Sequence, residues 1–229
     1  MKYFITCEHA HNAVPAAYDH IFDGCRPLLD SHRGYDKGAK ETAEAVGRAL
    51  HLPVYSAPYS RLLIDVNRSI TNRKTLFSSV TRPLPRNTRQ KIIDEIYLPY
   101  VEMVRKYIEK QLQDGETVLH LSIHSFTPVL EGKTRNADIG LLYVPGIPAE
   151  KEFCRRLGRE IESRWKGCRI RYNFPYTGVS DGLQTFFHKL FPTAEYLAVT
   201  LEFNQELCDR YPAGFPDDVI IHSLEQVIG

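Results

Sequence analysis

The sequence lacks the features that mark a secreted, membrane-bound or nucleic-acid-binding protein. Its five cysteines, among 229 residues, are an odd number without close spacing, which fits neither a disulfide framework nor a four-thiolate zinc site. Its 29 basic and 28 acidic residues leave a net charge of +1, so charge indicates no nucleic-acid or membrane-surface partner. No apolar run approaches the roughly 18 residues of a membrane span, and the apolar start is too short for a signal peptide. We therefore expect a cytoplasmic protein with reduced thiols.

What the sequence contains is the pattern of an α/β protein. Short apolar runs typical of strands alternate with amphipathic patterns typical of helices. The strands are predicted at 3–7, 53–56, 62–66, 117–123, 139–144 and 196–203, and the helices at 37–50, 88–112, 149–165 and 217–228. Pro99 should kink the longest helix, and the segment 69–87, rich in proline and arginine, is expected to form a loop over the site. This pattern predicts one domain over 1–229, with helices layered on a largely parallel sheet.

Two histidines and two carboxylates are predicted to meet at one edge of this sheet. His9 follows the first predicted strand, His124 follows the strand that begins at 117, Glu202 stands near the end of the last strand, and Asp36 precedes the first helix. In open α/β sheets, ligands bind outside the carboxyl ends of the strands. His9, Asp36 and His124 make a set typical of a catalytic zinc site with an open position, and Glu202 is then the candidate general base.

Each of these residues also has an alternative interpretation, either a purely structural role or a rival for the same role. A single histidine such as His9 is more often structural than a ligand, and His11 competes with it for the metal. Asp36 on its own is a good helix N-cap, and Glu8 is a second candidate oxygen ligand. Glu202 is harder to dismiss, because a carboxylate in an apolar strand is costly unless it is paired or functional.

An arginine-rich cluster supplies candidate substrate-binding groups. Arg68 can bind a carboxylate through its bidentate fork, with Asn67 as a further donor, and Arg61 can reach a substrate carbonyl. The alternative is a set of surface arginines around a buried strand, with Asp65 pairing one of them. A third cluster, 171–178, is predicted to be a loop after a strand, or simply a turn.

Taken together, these segments resemble the N-formylglutamate amidohydrolase family. The matching pieces are Ile5-Thr6-Cys7-Glu8-His9-Ala10 with Asn12-Ala13-Val14-Pro15, Asp36-Lys37-Gly38-Ala39, Ser60-Arg61-Leu62 running into Asp65-Val66-Asn67-Arg68, His124-Ser125-Phe126-Thr127-Pro128 with Arg135 and Gly140, Asn173-x-Pro175-Tyr176, and Leu201-Glu202-Phe203-Asn204. They follow the family's order from residue 5 to about residue 205. Each piece alone is weakly specific, whereas the ordered set is fairly specific.

The resemblance extends to zinc carboxypeptidases, aspartoacylases and zinc-dependent N-acetylmuramoyl-L-alanine amidases of the cell wall. It implies a three-layer α/β/α fold around a mixed, largely parallel sheet, of the zinc-exopeptidase (phosphorylase/hydrolase-like) kind, with one zinc ion per chain. The segment ending at His124 resembles the zinc-histidine strand of those amidases, and Asn67 with Arg68 resembles the carboxylate clamp of the aspartoacylases and carboxypeptidases. Arg61 stands where these enzymes keep a carbonyl-polarising arginine, and Glu202 where they keep the general base.

One departure concerns the carboxylate ligand of the metal. Carboxypeptidases use a His-x-x-Glu run, but Asn12 stands three residues after His9. The cell-wall amidases take this ligand from a helix start well downstream, which favours Asp36 and leaves Glu8 as the alternative.

The sequence thus predicts a zinc-dependent amidohydrolase acting on a small N-acylated substrate with a carboxylate, N-formyl-L-glutamate or a relative. The predicted substrate-binding residues are Asn67, Arg68, Arg135, Asn173 and Tyr176. The same machinery could instead cleave a peptidoglycan amide or a different acyl amino acid. A metal-free relative that binds a small acid is the non-enzymatic alternative, and the intact histidines and general-base candidate argue against it.

Overall fold

A six-stranded sheet forms the centre of the computed structural model, which describes residues 1–211 and 217–229. The strands are, in chain order, β1 (Lys2–Cys7), β2 (Val54–Ser56), β3 (Val118–Phe126), β4 (Val129–Leu130), β5 (Lys133–Thr134), β6 (Ile139–Leu142), β7 (Ile170–Tyr172) and β8 (Tyr196–Asn204). Strands β4 and β5 form a separate hairpin, and the others lie in the order β2-β1-β3-β8-β6-β7. Among the described strands of this sheet, only β6 and β8 pair antiparallel, so the predicted mixed, largely parallel sheet is confirmed.

Helices cover both faces of the sheet. The α-helices are α1 (Arg26–Leu29), α2 (Ala39–Leu50), α3 (Arg86–Ile92), α4 (Leu98–Gln113), α5 (Pro148–Arg164), α6 (Leu183–Leu190) and α7 (Asp217–Ile228). Helices α2, α5 and α7 pack on one face, and α3, α4 and α6 pack on the other, which confirms the three-layer α/β/α architecture. Among the residues that the structure describes, no helix is long and apolar enough to cross a membrane.

The alternation of side chains along the central strands separates two cores. Odd-numbered residues such as Leu121 pack against α2, α5 and α7, whereas even-numbered residues such as Phe4 pack against α4 and α6. Toward the carboxyl ends, the even-numbered face becomes polar. There the parallel pairing of β3 with β8 sets His124 directly beside Glu202. Strand register therefore brings together two residues that are 78 positions apart in the chain.

The predicted strand at 62–66 is wrong, although its residues are buried as their apolar character requires. The segment folds into turns, in which the Leu62 amide donates to Ser60 Oγ and the Leu63 amide donates to the Ser60 carbonyl oxygen. The hydroxyl and carbonyl of Ser60 thus satisfy amides that a strand would pair with a neighbour. An apolar run alone does not distinguish the two outcomes.

The longest predicted helix extends from Arg86 to Gln113 and contains an irregular turn just before Pro99. Residues Ile93–Tyr97 form a π-helical segment, and the Leu98 amide donates to the carbonyl oxygen of Ile93, five residues earlier. Proline has no amide hydrogen and crowds the carbonyl four residues before it, so the wider turn relieves the contact. Five of the described strands and α-helices lie where no strand or helix is predicted, namely α1, β4, β5, β7 and α6, although the spacing of Leu183, Phe187 and Leu190 in α6 is helical.

Candidate active site

Three side chains meet at the carboxyl edge of the sheet, where the sequence predicts the metal site. His9, Asp36 and His124 are buried, and each offers one donor atom within 4.8 Å of the others. Asp36 Oδ2 lies 3.2 Å from His9 Nδ1 and 2.8 Å from His124 Nδ1. Two imidazoles and one carboxylate are the donor types of a catalytic zinc site, so this group fits a zinc ion chemically.

The local fold turns Asp36 toward the histidines rather than toward the following helix. The Asp36 amide donates to the His9 carbonyl oxygen at 2.9 Å, which ties the segment before α2 to the end of β1. The N-cap of α2 is Gly38, with a φ of 81°, and no described side chain caps this helix. The alternative reading of Asp36 as a plain helix cap is therefore wrong.

Each histidine presents its other ring nitrogen to a further carboxylate. His9 Nε2 lies 2.8 Å from Asp65 Oδ1, and His124 Nε2 lies 3.0 Å from Glu8 Oε2. Such pairs fix the orientation and tautomer of a metal-binding imidazole, here with Nδ1 directed at the shared Asp36 oxygen. Glu8 thus contacts the far side of His124, and this geometry favours Asp36 over Glu8 as the carboxylate ligand.

The structure also shows the contacts of two other residues from the sequence analysis, His11 as a rival metal ligand and Asp65 as the partner of an arginine. His11 Nδ1 donates to the Ala57 carbonyl oxygen at 2.8 Å, and His11 lies outside the His9–Asp36–His124 group. Asp65 pairs with Arg61, as the structural alternative predicts, but it also contacts His9. The signal was present in the sequence, because Asp65 is a carboxylate inside an apolar run, as Glu202 is.

The electrostatics of the cluster are those of tightly interacting opposite charges. Burial alone would raise the pKa of Asp36, but His9 and His124 outweigh it and hold that pKa well below its usual range. Burial would likewise raise the pKa of Asp65, and Arg61 and His9 instead depress it strongly. Burial disfavours the charged form of His124, yet its contacts with Asp36 and Glu8 raise its pKa well above the usual value. The group therefore favours a bound positive charge, whether a proton or a metal cation.

Glu202 behaves differently from these paired carboxylates. Its side chain is buried, and among residues 1–211 and 217–229 no hydrogen-bond partner reaches its Oε2 atom. Burial raises the pKa of Glu202 to about 7; His124 and Arg61 oppose this rise, and Asp36 adds to it. A carboxyl group poised near neutral pH beside a candidate metal site has the property that a general acid–base residue needs.

A cavity of about 400 Å³ opens beside this cluster. Nine of the ten predicted site residues line it, namely His9, Asp36, Arg61, Asn67, Arg68, His124, Arg135, Tyr176 and Glu202. Asn72 and Thr75 of the irregular segment 69–87 also line it. Asn173 does not: its Oδ1 accepts hydrogen bonds from the amides of Tyr143 and Gly178, both at 3.1 Å, so it braces the loop behind the cavity.

The three arginines of the cavity differ in how their charge is already used. Arg61 donates to Asp65 Oδ2 at 2.8 Å. Arg68 donates to the Asp181 carbonyl oxygen at 2.7 Å, and its Nε lies 3.8 Å from Asp65 Oδ2. Arg135 stacks on the Tyr176 ring with 5.2 Å between its Cζ and the ring centroid, and no described carboxylate forms an ion pair with it. Arg135 is therefore the cavity arginine whose charge is most available to an anionic ligand.

Comparisons with known proteins identify a family for the chain and solved structures with the same fold. The sequence model of the family described as N-formylglutamate amidohydrolase matches residues 1–208. Two solved structures share the fold: a gene product from Agrobacterium tumefaciens, 24% identical with a TM-score of 0.76 over 100% of this chain and 92% of that one, and the N-formylglutamate amidohydrolase from Ralstonia eutropha, 18% identical with a TM-score of 0.70 over 99% and 91%. A search of curated proteins finds no match.

Proposed function

Since this chain belongs to the N-formylglutamate amidohydrolase family, we propose that it is a zinc-dependent hydrolase of the amide in a small N-acyl amino acid. N-formyl-L-glutamate, cleaved to formate and L-glutamate, is the proposed substrate type. The observation that carries the proposal is the buried His9–Asp36–His124 group beside the unpaired Glu202. Burying these polar groups costs folding free energy, and apolar side chains at the same edge of the sheet would avoid that cost. A use in binding and catalysis accounts for their presence.

The donor set assigns His9, Asp36 and His124 as the residues that would hold one zinc ion per chain. Zinc in a site with three protein ligands activates water and polarises a carbonyl group. Asp65 and Glu8 would keep the two imidazoles in the required orientation, through the bonds at their Nε2 atoms.

Glu202 is the proposed general base. It takes a proton from the attacking water and returns it to the leaving amine, which requires a carboxyl that changes charge near the working pH. Its place beside His124 in the β3–β8 register puts it next to the candidate metal group. Arg61, on the other side of Asp36 with Nη1 3.6 Å from Asp36 Oδ1, is proposed to stabilise the negative charge that develops on the substrate carbonyl oxygen.

The substrate carboxylates are assigned to the cavity arginines. Arg68, with Asn67 beside it, and Arg135, with Tyr176 beside it, border the cavity. We assign the stronger role to Arg135, because no described carboxylate forms an ion pair with it. A guanidinium held against an aromatic ring has few other conformations, so it loses little entropy when it binds an anion.

The proposal is tested first by measuring zinc content and by screening N-acyl amino acids with zinc-loaded protein, with detection of the freed amine. About one zinc per chain and hydrolysis of N-formyl-L-glutamate are expected. No zinc and no hydrolysis would contradict it and leave the binding-protein alternative. Preferential release from a peptidoglycan fragment would keep the machinery but replace the substrate.

The carboxylate assignment has its own test. Replacing Arg135 with methionine should lower kcat/KM for N-formyl-L-glutamate, because a desolvated carboxylate loses its partner. The loss should correspond to about 2–5 kcal/mol of transition-state stabilisation. The loss should shrink on the amidated substrate that lacks the carboxylate in question, either the α-amide or N-formyl-L-glutamine. Arg171→Met is the matched control, since Arg171 also stacks on an aromatic ring, that of Phe174, but lies outside the cavity lining. Equal losses on all three substrates would refute the role of Arg135.

A further inference from the structure

A chain of buried hydrogen bonds leads from His124 into the interior of the sheet, and the proposed reaction uses none of it beyond Glu8. Glu8 Oε1 lies 2.6 Å from Thr6 Oγ1, and Thr6 Oγ1 lies 2.6 Å from His120 Nε2. His120 Nδ1 in turn lies 2.7 Å from the Tyr196 hydroxyl. The side-chain alternation of β1, β3 and β8 sets these residues on the even-numbered face of the sheet.

The direction of every bond in this chain follows from the chemistry of its members. Thr6 Oγ1 donates to Glu8 Oε1, and Ser122 Oγ donates to Glu8 Oε2 at 2.8 Å, so both carboxylate oxygens of Glu8 act as acceptors. The single hydroxyl proton of Thr6 therefore goes to Glu8. The bond between Thr6 and His120 must then be donated by His120 Nε2.

His120 has a single proton to give. Burial lowers its pKa to about 3, so the ring is neutral and carries one N–H group. With that proton on Nε2, its Nδ1 atom is an acceptor and takes the hydroxyl proton of Tyr196. The ring of Phe4 stacks on the imidazole with 4.4 Å between centroids and 19° between planes, which holds it in this orientation. All donors thus point one way, from Tyr196 to Glu8.

We propose that Thr6, His120 and Tyr196 are positioning residues for the metal centre, because their aligned hydrogen bonds hold Glu8 in place on the Nε2–H group of His124. Aligned hydrogen bonds polarise and strengthen one another in a buried setting. Glu8 Oε2 lies 3.0 Å from His124 Nε2 and can accept its proton, whereas the Asn67 amide nitrogen, 3.3 Å away, is itself a donor and cannot accept it. His124 then keeps its Nδ1 atom for the side that faces Asp36. The inference rests on the proposed function, since it gives these residues a purpose only if the site binds a metal.

Thr6→Val tests this chain of hydrogen bonds with little change in the shape of the side chain. The variant removes one donor from Glu8 and the acceptor of His120 Nε2–H, and the expected result is an about 10-fold higher zinc dissociation constant in a competition with a chelating dye. Thr6→Ser, which keeps the hydroxyl, should restore it. Thr81→Val is the matched control, because Thr81 is equally buried but donates to the Leu62 carbonyl oxygen at 3.2 Å. It should lower stability without changing zinc affinity.

A second measurement does not need the metal. NMR of the metal-free wild-type protein, with ¹⁵N-labelled histidine, should show His120 with its proton on Nε2 and a bare Nδ1. A proton on Nδ1 of His120 would contradict the proposed direction of the hydrogen bonds, and this result does not depend on whether Thr6→Val folds. Unchanged zinc affinity in a folded Thr6→Val protein, or an equal loss in Thr81→Val, overturns the proposal as well. If the wild-type protein binds no zinc, the proposed function fails, whereas the tautomer of His120 still decides the direction of the bonds.

Discussion

Replacing Glu202 with glutamine separates two properties of this side chain, its cost to the folded protein and its use in the reaction. Glutamine keeps the shape of the side chain but can neither ionise nor accept a proton from water. Since Oε2 of Glu202 has no described hydrogen-bond partner, the change breaks no described bond to that atom. The variant should therefore fold and bind zinc as the unaltered protein does.

The stability effect has a definite sign and depends on pH. The pKa of Glu202 is raised from 4.5 in the unfolded chain to about 7 in the folded protein, so between these pH values only the folded protein keeps the proton. The free energy of unfolding therefore falls as the pH rises through this range, and the full cost of ionising the buried group is present above pH 7. At about 1.4 kcal/mol for each pKa unit, that cost is about 3 kcal/mol.

Glutamine removes this cost and brings two amide hydrogens that need partners. We expect metal-free Glu202→Gln to be more stable than the unaltered protein by about 1–3 kcal/mol at pH 8, and by much less at pH 5. Urea unfolding at the two pH values measures the difference. Glu150→Gln is the matched control. Both Oε atoms of Glu150 accept from backbone amides, those of Ala198 at 2.7 Å and Val144 at 2.8 Å, and glutamine would set an NH2 group against one of these donors, so this variant should be less stable.

The kinetic effect is expected in the opposite direction. With one zinc per chain retained, kcat should fall by about 100-fold or more, and the rise of the rate with pH that reports ionisation of the base should disappear. A zinc-loaded variant with near-normal kcat would refute the general-base role and direct attention to Glu8. A variant that is less stable at pH 8 would show instead that Glu202 has a stabilising partner in the folded protein.

Three further expectations concern the metal and the packing behind Glu202. His124→Ala and Asp36→Ala should each lose most bound zinc in a metal assay, and full retention by either would remove that residue from the ligand set. Zinc at about 100 times its dissociation constant should raise the free energy of unfolding by about 2.7 kcal/mol, and a chelator should reverse the gain; no shift would argue against a specific site. Gly140→Ala should lower the free energy of unfolding by about 1–3 kcal/mol, because its new methyl carbon would clash with the Phe174 carbonyl oxygen and lie 3.2 Å from Glu202 Cβ. Gly146→Ala, with open space around it, should be close to neutral in the same thermal unfolding measurement.

Much of the site's location was determined by the sequence itself. Hydrophobic periodicity identifies the strands and helices that carry His9, His124 and Glu202, and polar residues at the ends of apolar strands identify the edge where a ligand binds. The reason is that burial of a sheet and its helices imposes periods of two and about three and a half residues, which are visible without any partner. The ordered motifs then carry the resemblance to a family that matches residues 1–208.

The tertiary structure alone decided which polar group meets which. Local patterns do not show that Asp65 holds His9 across 56 residues, or that Thr6 meets His120 across 114. They assign Asn173 to the substrate, but packing turns its side chain to the amides of a neighbouring loop. They predict a strand at 62–66, where the bonds of Ser60 and packing in the core beneath α4 and α6 produce buried turns. A side chain's partner depends on the register and packing of distant segments, and these follow from minimising exposed apolar surface and unpaired polar groups over the whole chain at once.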